Sequence, residues 1–341
     1  MAGRVEVSVI ISTRDRAPIV PEVLRSLADQ DEGVPFEVIV VDNGSTDATP
    51  EVLADWCRDH PTFRTTREDR PGLSRGKNAG IAIARGRLLL FTDDDVLVPP
   101  SWVEAYARFF DAQPGAMVVA GGAIVPIAHD LGPWPPWLSE DALLDVGLLD
   151  HGDQQELRPP RYVFGANMAV PATVFGSVGT WDEDLGNAPG DRSTFEDAEL
   201  QDRVRAAGGT VWFVPDAAVR HRVERGRTSP RAIVANAFGR GRNDFWGERL
   251  ATAAPPETAV GSIAGTVRLA GNLVAEGIAT ASFRFRKRAA SLDRARRLAW
   301  RSGRSLERLR PGRDRTTAFR RIGRLTFLAR RLLSILAPRE A

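Results

Sequence analysis

Arg87-Leu88-Leu89-Leu90-Phe91-Thr92-Asp93-Asp94-Asp95 joins an apolar run to three consecutive carboxylates. The run has the length and composition of a buried strand, and Pro99-Pro100 just beyond it favours the start of a helix. Adjacent ionised carboxylates repel one another unless a cation neutralises them. A divalent ion such as Mg²⁺ or Mn²⁺, held by carboxylates and by phosphate oxygens of a ligand, meets that need. An acidic surface turn is the plainer alternative.

Two earlier segments repeat the pattern of an apolar strand that ends in polar side chains. Val5 to Ile11 runs into Ser12-Thr13, and Phe36 to Val41 runs into Asp42. Helical patterns follow these strands over Pro18–Gln30, from Ser45 or Thr46 to Asp59, and over Ser74–Arg85. This alternation predicts an α/β fold with a mainly parallel central sheet flanked by helices. Ligands of such sheets bind beyond the carboxyl ends of the strands.

Charge divides the chain into an acidic body and a basic end. Residues 281–341 hold 19 basic and 4 acidic side chains, a net charge of +15, whereas residues 1–280 carry a net charge of −13. Together with the linker-like run 251–256, this predicts a catalytic domain over 1–250, with halves 1–122 and 123–250, and a basic α-helical region over 251–341.

Cysteine content and hydropathy limit the class of protein. The single cysteine, Cys57, excludes an intramolecular disulfide and a multi-cysteine zinc site, and it fits a reducing compartment. The first residues lack the apolar core of a signal peptide, and no run of 18 or more apolar residues occurs. We therefore expect a cytoplasmic protein without a membrane span.

The C-terminal residues 317–336 have the pattern of a basic amphipathic helix. Apolar residues recur every three or four positions, and arginines occupy much of the remainder. This pattern fits an anionic membrane surface, which would place the protein peripherally on the inner face of the cell membrane. It fits equally well a helix that packs on the catalytic domain or on a second copy of the chain in a homodimer. We expect no nucleic-acid partner, because no recognition motif is present.

Six motifs in order resemble those of family 2 glycosyltransferases. They are Val9–Thr13, Val40–Asp47, Gly72–Gly80, Phe91–Asp95, Gly165–Val170 and Phe195–Leu200. The resemblance covers about residues 5 to 225. It implies a GT-A fold and an inverting, metal-dependent enzyme that moves a sugar from a nucleoside-diphosphate sugar to an acceptor hydroxyl. The acceptor class, whether glycan, lipid-linked or small molecule, stays open.

The resemblance assigns nucleotide-sugar contacts to the N-terminal half. Asp42 would accept the imide N–H of uracil or thymine, which favours a UDP- or dTDP-type donor, and Ser12 and Thr13 would line the same pocket. Capping of the Ser45–Thr46 turn is the structural alternative for Asp42. Arg75 and Lys77 open a helix where they would hold the diphosphate, although a pair of solvated cations is the alternative.

The resemblance also assigns the metal. Asp95 would bind the divalent ion, Asp94 would contact the ribose, and Asp93 would support them. His221 is a candidate second ligand, because some family members place a histidine there; a structural role is the alternative.

Catalysis and acceptor binding fall to the second half. The resemblance makes Asp197 the general base and gives Glu196 a supporting or acceptor-binding role, although Phe195 replaces the glycine that the family commonly has before this pair. Trp134, Trp137 and Trp181 are candidates for stacking on acceptor rings, or for the core.

Two other functions remain possible from the sequence. A sugar-1-phosphate nucleotidyltransferase shares the α/β layout, but the glycine-rich loop expected after its first strand is missing. A non-catalytic carbohydrate-binding protein would not need Asp95 and Asp197. A dinucleotide oxidoreductase is disfavoured because no Gly-x-Gly-x-x-Gly follows the first strand.

Overall fold

The computed structural model describes residues 5–128, 133–135, 138–183, 185, 187–188, 191–192, 196–230, 232–241 and 289–308. They fall into two compact units. The first unit is drawn from residues 1–125, 149–157 and 162–222, and the second from residues 126–148, 158–161 and 223–341.

An eight-stranded mixed sheet forms the centre of the first unit. Its spatial order is β3-β2-β1-β4-β9-β6-β12-β8, and six of the eight strands run in the same direction. The strands are β1 Val7–Thr13, β2 Phe36–Asp42, β3 Phe63–Arg67, β4 Leu88–Asp93, β6 Val118–Gly121, β8 Gln155–Glu156, β9 Asn167–Pro171 and β12 Thr210–Phe213. The predicted mainly parallel sheet is confirmed.

Six helices accompany these strands. They are α1 Val20–Ala28, α2 Thr49–Asp59, α3 Leu73–Ile83, α4 Trp102–Asp111, α5 Ala172–Val178 and α6 Glu196–Ala206. In α1, the apolar residues at helical spacing are the buried ones, as their period predicts. The prediction that Ser45 or Thr46 caps α2 is wrong, because the helix begins at Thr49 and Asp47 Oδ1 accepts from the Thr49 N–H and hydroxyl.

Both faces of the sheet are buried. Alternate residues of β1 belong to different apolar clusters, with Val9 and Ile11 in one and Ile10 in the other. Strand side chains alternate between faces, so this division places one cluster on each side of the sheet. The continuous apolar runs in the sequence follow from that double burial.

Short elements carry further site residues and connections. They are β5 Val96–Leu97, β7 Ile124–Ala128, β10 Asn187–Ala188, β11 Asp191–Arg192 and β13 Val219–Val223, with 3₁₀ turns at Glu140–Val146, Pro215–Ala217 and Arg225–Thr228. The antiparallel register of β13 and β5 sets His221 opposite Val96, and therefore next to Asp95.

Antiparallel strand β9 lies between β4 and β6, and periodicity did not predict it. Asn167, at its first position, is fully buried and uses all of its side-chain hydrogen-bonding groups. Its Nδ2 donates to the carbonyls of Ala123 (3.0 Å) and Ala217 (2.7 Å). Its Oδ1 accepts from Trp102 Nε1 (2.9 Å) and the Tyr106 hydroxyl (2.8 Å). One asparagine thus ties β9 to α4 and to two loops.

Substitution of Asn167 with Ala should lower the free energy of unfolding by about 3–5 kcal/mol, since four buried polar partners lose their bonds at once. Asn78→Ala is the matched control, because Asn78 is only half-buried and bonds to the Trp181 backbone alone. We expect a loss of about 1–2 kcal/mol there. Urea denaturation measures both; equal losses would show that the Asn167 network is unimportant.

The second unit is helical in its described part. It contains the 3₁₀ turn Glu140–Val146, a helix at 232–241 and the helix Ala289–Arg308, which share one apolar cluster. The 3₁₀ turn lies in a region that sequence periodicity left irregular. The predicted linker at 251–256 and the amphipathic helix at 317–336 lie outside the described residues, so the boundary at 250 stays a prediction. None of the described helices is long and apolar enough to cross a membrane.

Candidate active site

Strand register brings the predicted donor-binding residues to one edge of the sheet. Thr13 of β1 lies level with Asp42 of β2, and Ser12 lies level with Asp93 of β4. All of them stand at carboxyl ends of parallel strands, where ligands bind in open α/β sheets. The three polar strand ends in the sequence therefore converge as predicted.

Asp42 is buried and holds two structural contacts. Its Oδ1 accepts from the Ser45 N–H (2.9 Å), and its Oδ2 accepts from Arg67 Nη1 (2.6 Å). The first contact is the turn-capping role that the sequence left open. Arg67 was not predicted, although it ends β3 level with Asp42 and the parallel register alone could have found it. A base-binding role for Asp42 stays a prediction.

Burial and mutual repulsion raise the pKa values of two carboxyl groups in the acidic triad. Burial first, and the neighbouring Asp95 second, raise the pKa of Asp93 to about 6 and the pKa of Asp94 to about 7. Asp94 also accepts from the Thr13 hydroxyl (2.7 Å) and lies 3.6 Å from Arg16 Nε. The triad is therefore not a fully exposed acidic turn, because Asp95 is buried and Asp93 and Asp94 are half-buried.

Asp197, at the N-terminus of α6, accepts three hydrogen bonds. Oδ1 accepts from Lys77 Nζ (2.9 Å) and from Trp181 Nε1 (3.2 Å), and Oδ2 accepts from the Gly165 N–H (2.7 Å). A β-carbon on Gly165 would lie 2.2 Å from Lys77 Nζ and 2.7 Å from Asp197 Oδ1, so only glycine fits without displacing them. Sequence reasoning missed Gly165, although it belongs to a motif that carries the family resemblance.

Lys77 donates a hydrogen bond to the carboxylate of Asp197. Its side chain is buried, and its ammonium stands 4.9 Å from the centre of the Trp181 ring. Burial alone would lower the pKa of Lys77, but the carboxyl groups of Asp197, Glu196 and Asp93 hold that pKa above its usual value. Lys77 is therefore not one of a pair of solvated cations. It is a buried cation that connects the acidic triad with α6.

Arg75 lies outside that buried cluster. Its Nε is 3.3 Å from Glu183 Oε2, and its Nη1 donates to the Pro71 carbonyl. Glu183 also pairs with Arg70 (3.1 Å). A diphosphate contact by Arg75 stays a prediction, and it would compete with Glu183.

Of the two roles predicted for Trp181, the structure agrees with the core and not with stacking on an acceptor ring. Its ring is 2% exposed and packs edge-on against Phe91 (4.6 Å) and obliquely on Phe175 (5.3 Å). No open face remains for a sugar, and its indole N–H orients Asp197 instead. Trp134 packs half-buried against the apolar cluster of the second unit. Trp137 lies outside the described residues.

Glu196 has a buried carboxyl group, and one of its oxygens accepts no hydrogen bond from the described residues. That oxygen is Oε2. Burial, and then the charge of Asp197, raise the pKa of Glu196 to about 8, although Lys77 opposes the shift. The neutral acid is therefore the prevailing form at neutral pH.

Glu196→Gln should change how stability depends on pH. The folded-state pKa lies above the unfolded value, so the wild type loses stability as pH rises from about 4.5 to about 8. The neutral amide cannot ionise, so the variant should gain stability relative to the wild type over this interval, with no further gain above it. Denaturation at several pH values measures the difference. A difference independent of pH would contradict the raised pKa.

Sequence comparison finds similarity to one family of enzymes. A profile described as "Glycosyl transferase family 2" matches residues 8–147, which include the strand ends and the acidic triad. The chain is therefore similar to this family over residues 8–147. The chain is 24% identical over 210 residues to a glucosyl-dolichyl phosphate glucuronosyltransferase of Haloferax volcanii, covering 61% of this chain and 66% of the relative. It is 29% identical over 223 residues to a validoxylamine A glucosyltransferase of Streptomyces hygroscopicus subsp. jinggangensis, covering 59% and 51%. The chain thus spans one half to just under two thirds of these relatives.

Comparison with solved structures shows that the chain has a GT-A fold. A mannosyltransferase from Pyrobaculum calidifontis, solved with GDP-Man and Mn²⁺, aligns with a TM-score of 0.52 at 18% identity and covers 98% of this chain and 84% of its own. GalNAc-T7, solved with UDP, GalNAc and Mn²⁺, aligns with a TM-score of 0.50 at 16% identity and covers 74% and 52%. The predicted fold class is confirmed.

Asp95 and His221, the two predicted metal ligands, lie next to each other, and their role in binding a metal stays a prediction. His221 Nε2 lies 3.4 Å from Asp95 Oδ1, and both side chains are buried. Within the described ranges, no group of three or more His, Cys, Asp or Glu side chains could hold a metal ion. A carboxylate and an imidazole therefore fit an ion that takes its remaining ligands from substrate phosphates and water, as Mg²⁺ commonly does.

Proposed function

We propose that this protein transfers a sugar from a nucleoside-diphosphate sugar to an acceptor hydroxyl, with inversion and with a divalent metal ion, Mg²⁺ or Mn²⁺. One observation carries the proposal. Buried Lys77 donates to Asp197 of α6, and the Asp93 carboxyl group of the acidic triad also helps to raise the pKa of Lys77. The acidic triad, which suits a donor diphosphate and its metal ion, and Asp197, which suits an acceptor hydroxyl, are therefore linked through the charge of Lys77.

The residues on the donor side bind and orient the nucleoside-diphosphate sugar. Ser12, Thr13 and Asp42 line the base pocket, Asp94 contacts the ribose, and Asp93 supports these residues. Asp95 and His221 would hold the ion, which supplies positive charge against the departing diphosphate. Arg75 meets the same diphosphate once Glu183 releases it.

Asp197 acts as the general base on the acceptor side. As the acceptor oxygen bonds to the anomeric carbon, the bond to the diphosphate breaks and the hydroxyl proton passes to Asp197. A carboxylate offers about four lone-pair sites. Oδ1 already accepts two hydrogen bonds and Oδ2 one. The remaining site is on Oδ2, so we assign the proton transfer to that oxygen. Glu196 supports the site as a neutral acid.

The donor is proposed as a UDP- or dTDP-type sugar. Two structural neighbours were solved with GDP-Man and with UDP, so the base is the property that most needs a test. A thermal-shift panel of UDP-, dTDP- and GDP-sugars with Mn²⁺ should raise Tm for one base class, because a ligand that binds only the folded state stabilises it. If none of the nucleotide sugars shifts Tm at millimolar concentration, the proposed function is wrong.

The acceptor is proposed as a hydroxyl of a glycan, a lipid-linked sugar or a small molecule. The names of two relatives pair one enzyme with a dolichyl-phosphate-linked sugar and the other with validoxylamine A. We propose a location in the cytoplasm; peripheral binding to the inner face of the cell membrane and packing of the C-terminal residues on protein stay as alternatives. Residues 317–336, predicted to bind an anionic membrane or a second copy, lie outside the described residues.

A further inference from the structure

The helix Ala289–Arg308 of the second unit has two chemically different sides. Leu292, Ala295 and Ala299 are buried in the apolar cluster with the 232–241 helix. Successive helical residues are turned by about 100°, so positions 294, 297 and 301 fall on the opposite side. Packing thus fixes which side chains of this helix face outward.

A buried arginine fixes the rotation of the helix further. Arg296 is 4% exposed and lies 3.1 Å from Asp145 Oδ2, while Arg240 pairs with the other oxygen of Asp145 at 2.9 Å. The Arg296 guanidinium also lies 3.5 Å from Asp293. This arginine is neutralised inside the unit. It is the internal contrast for the arginines on the outer side.

Arg294, Arg297 and Arg301 form an exposed arginine stripe. Together with Leu298 they line a depression of about 290 Å³. In the described part of the chain, none of the three pairs with a carboxylate. Like charges three and four positions apart on a helix repel one another and destabilise it. An external anion would remove that repulsion.

We infer that the arginine stripe binds the anionic headgroups of a lipid bilayer. A helix of 20 residues is about 30 Å long and presents its charges along a line, which suits a flat surface of many phosphates. The 33 residues beyond the helix, outside the described residues, continue the same chemistry with nine arginines and two acids. The inference does not depend on the proposed sugar transfer.

The test uses the full chain and vesicles of phosphatidylcholine with or without phosphatidylglycerol. The stripe variant replaces Arg294, Arg297 and Arg301 with Gln. The matched variant replaces the exposed residues Arg25, Arg58 and Arg108 of the first unit with Gln. Each arginine near an anionic surface contributes about 1 kcal/mol. The stripe variant should therefore lose on the order of 100-fold in affinity. The matched variant should bind like the wild type.

Three outcomes would overturn the inference. The full chain could ignore phosphatidylglycerol vesicles at low salt, the two variants could bind them equally, or the stripe could bind a short DNA duplex more tightly than vesicles. Circular dichroism and Tm of the stripe variant should match the wild type, because all three side chains are exposed. A second stripe variant, Arg→Lys at the same positions, should restore binding if charge is the determinant.

Discussion

Asp197→Asn should abolish sugar transfer while leaving donor binding unchanged. The amide cannot take the acceptor proton, and general-base catalysis contributes roughly 10²–10⁴-fold in rate. Asn also presents an NH₂ group in place of one oxygen, although Lys77, Trp181 and Gly165 all donate to this side chain. Transfer rates and donor calorimetry, measured on the same preparation, separate the two steps.

Glu199→Gln on the same helix is the matched control. Glu199 forms an i,i+4 ion pair with Arg203 and no contact with the Asp197 cluster, so transfer should stay near the wild-type rate. Loss of donor affinity in Asp197→Asn would move this residue to the donor side and refute its assignment as base.

Asp95→Asn should reduce transfer by at least about 100-fold, because the metal loses its carboxylate ligand and the departing diphosphate loses its counter-charge. The metal concentration needed for half-maximal rate should also rise. The fold should persist, since Asp95 lies in the turn between β4 and β5 and not within the apolar clusters.

Asp55→Asn, an exposed position on α2, controls for loss of a negative charge. A metal titration of initial rate compares the variants. An unchanged half-maximal metal concentration in Asp95→Asn would remove Asp95 from the metal site.

Strand periodicity and polar strand ends were sufficient to predict the first half of the molecule. Apolar runs buried on both faces leave little freedom in where a strand ends, so Asp42 and Asp93 could be placed at one edge. Strand β9 was missed because its short segment Asn167–Pro171 pairs antiparallel between two distant strands. Such non-local pairing leaves no signal in local periodicity.

The sequence predicted which residues lie at the site more accurately than it predicted which partners they contact. Lys77 was expected on the diphosphate and Trp181 on the acceptor, yet both lie against Asp197. Lys77 is 120 positions and Trp181 is 16 positions from Asp197 in the chain, so tertiary packing brings each of them to that carboxylate. The sequence could identify a cation and an aromatic ring near the active site. It could not specify which carboxylate each would contact.

The most direct test of the proposed function measures nucleoside diphosphate and glycosylated acceptor together, with the donor found by thermal shift. The wild type should release one nucleoside diphosphate per product when Mn²⁺ is present and lose this activity in EDTA, with recovery on added metal. Equal turnover in EDTA, or release of a sugar 1-phosphate in place of nucleoside diphosphate, would contradict metal-assisted transfer at this site.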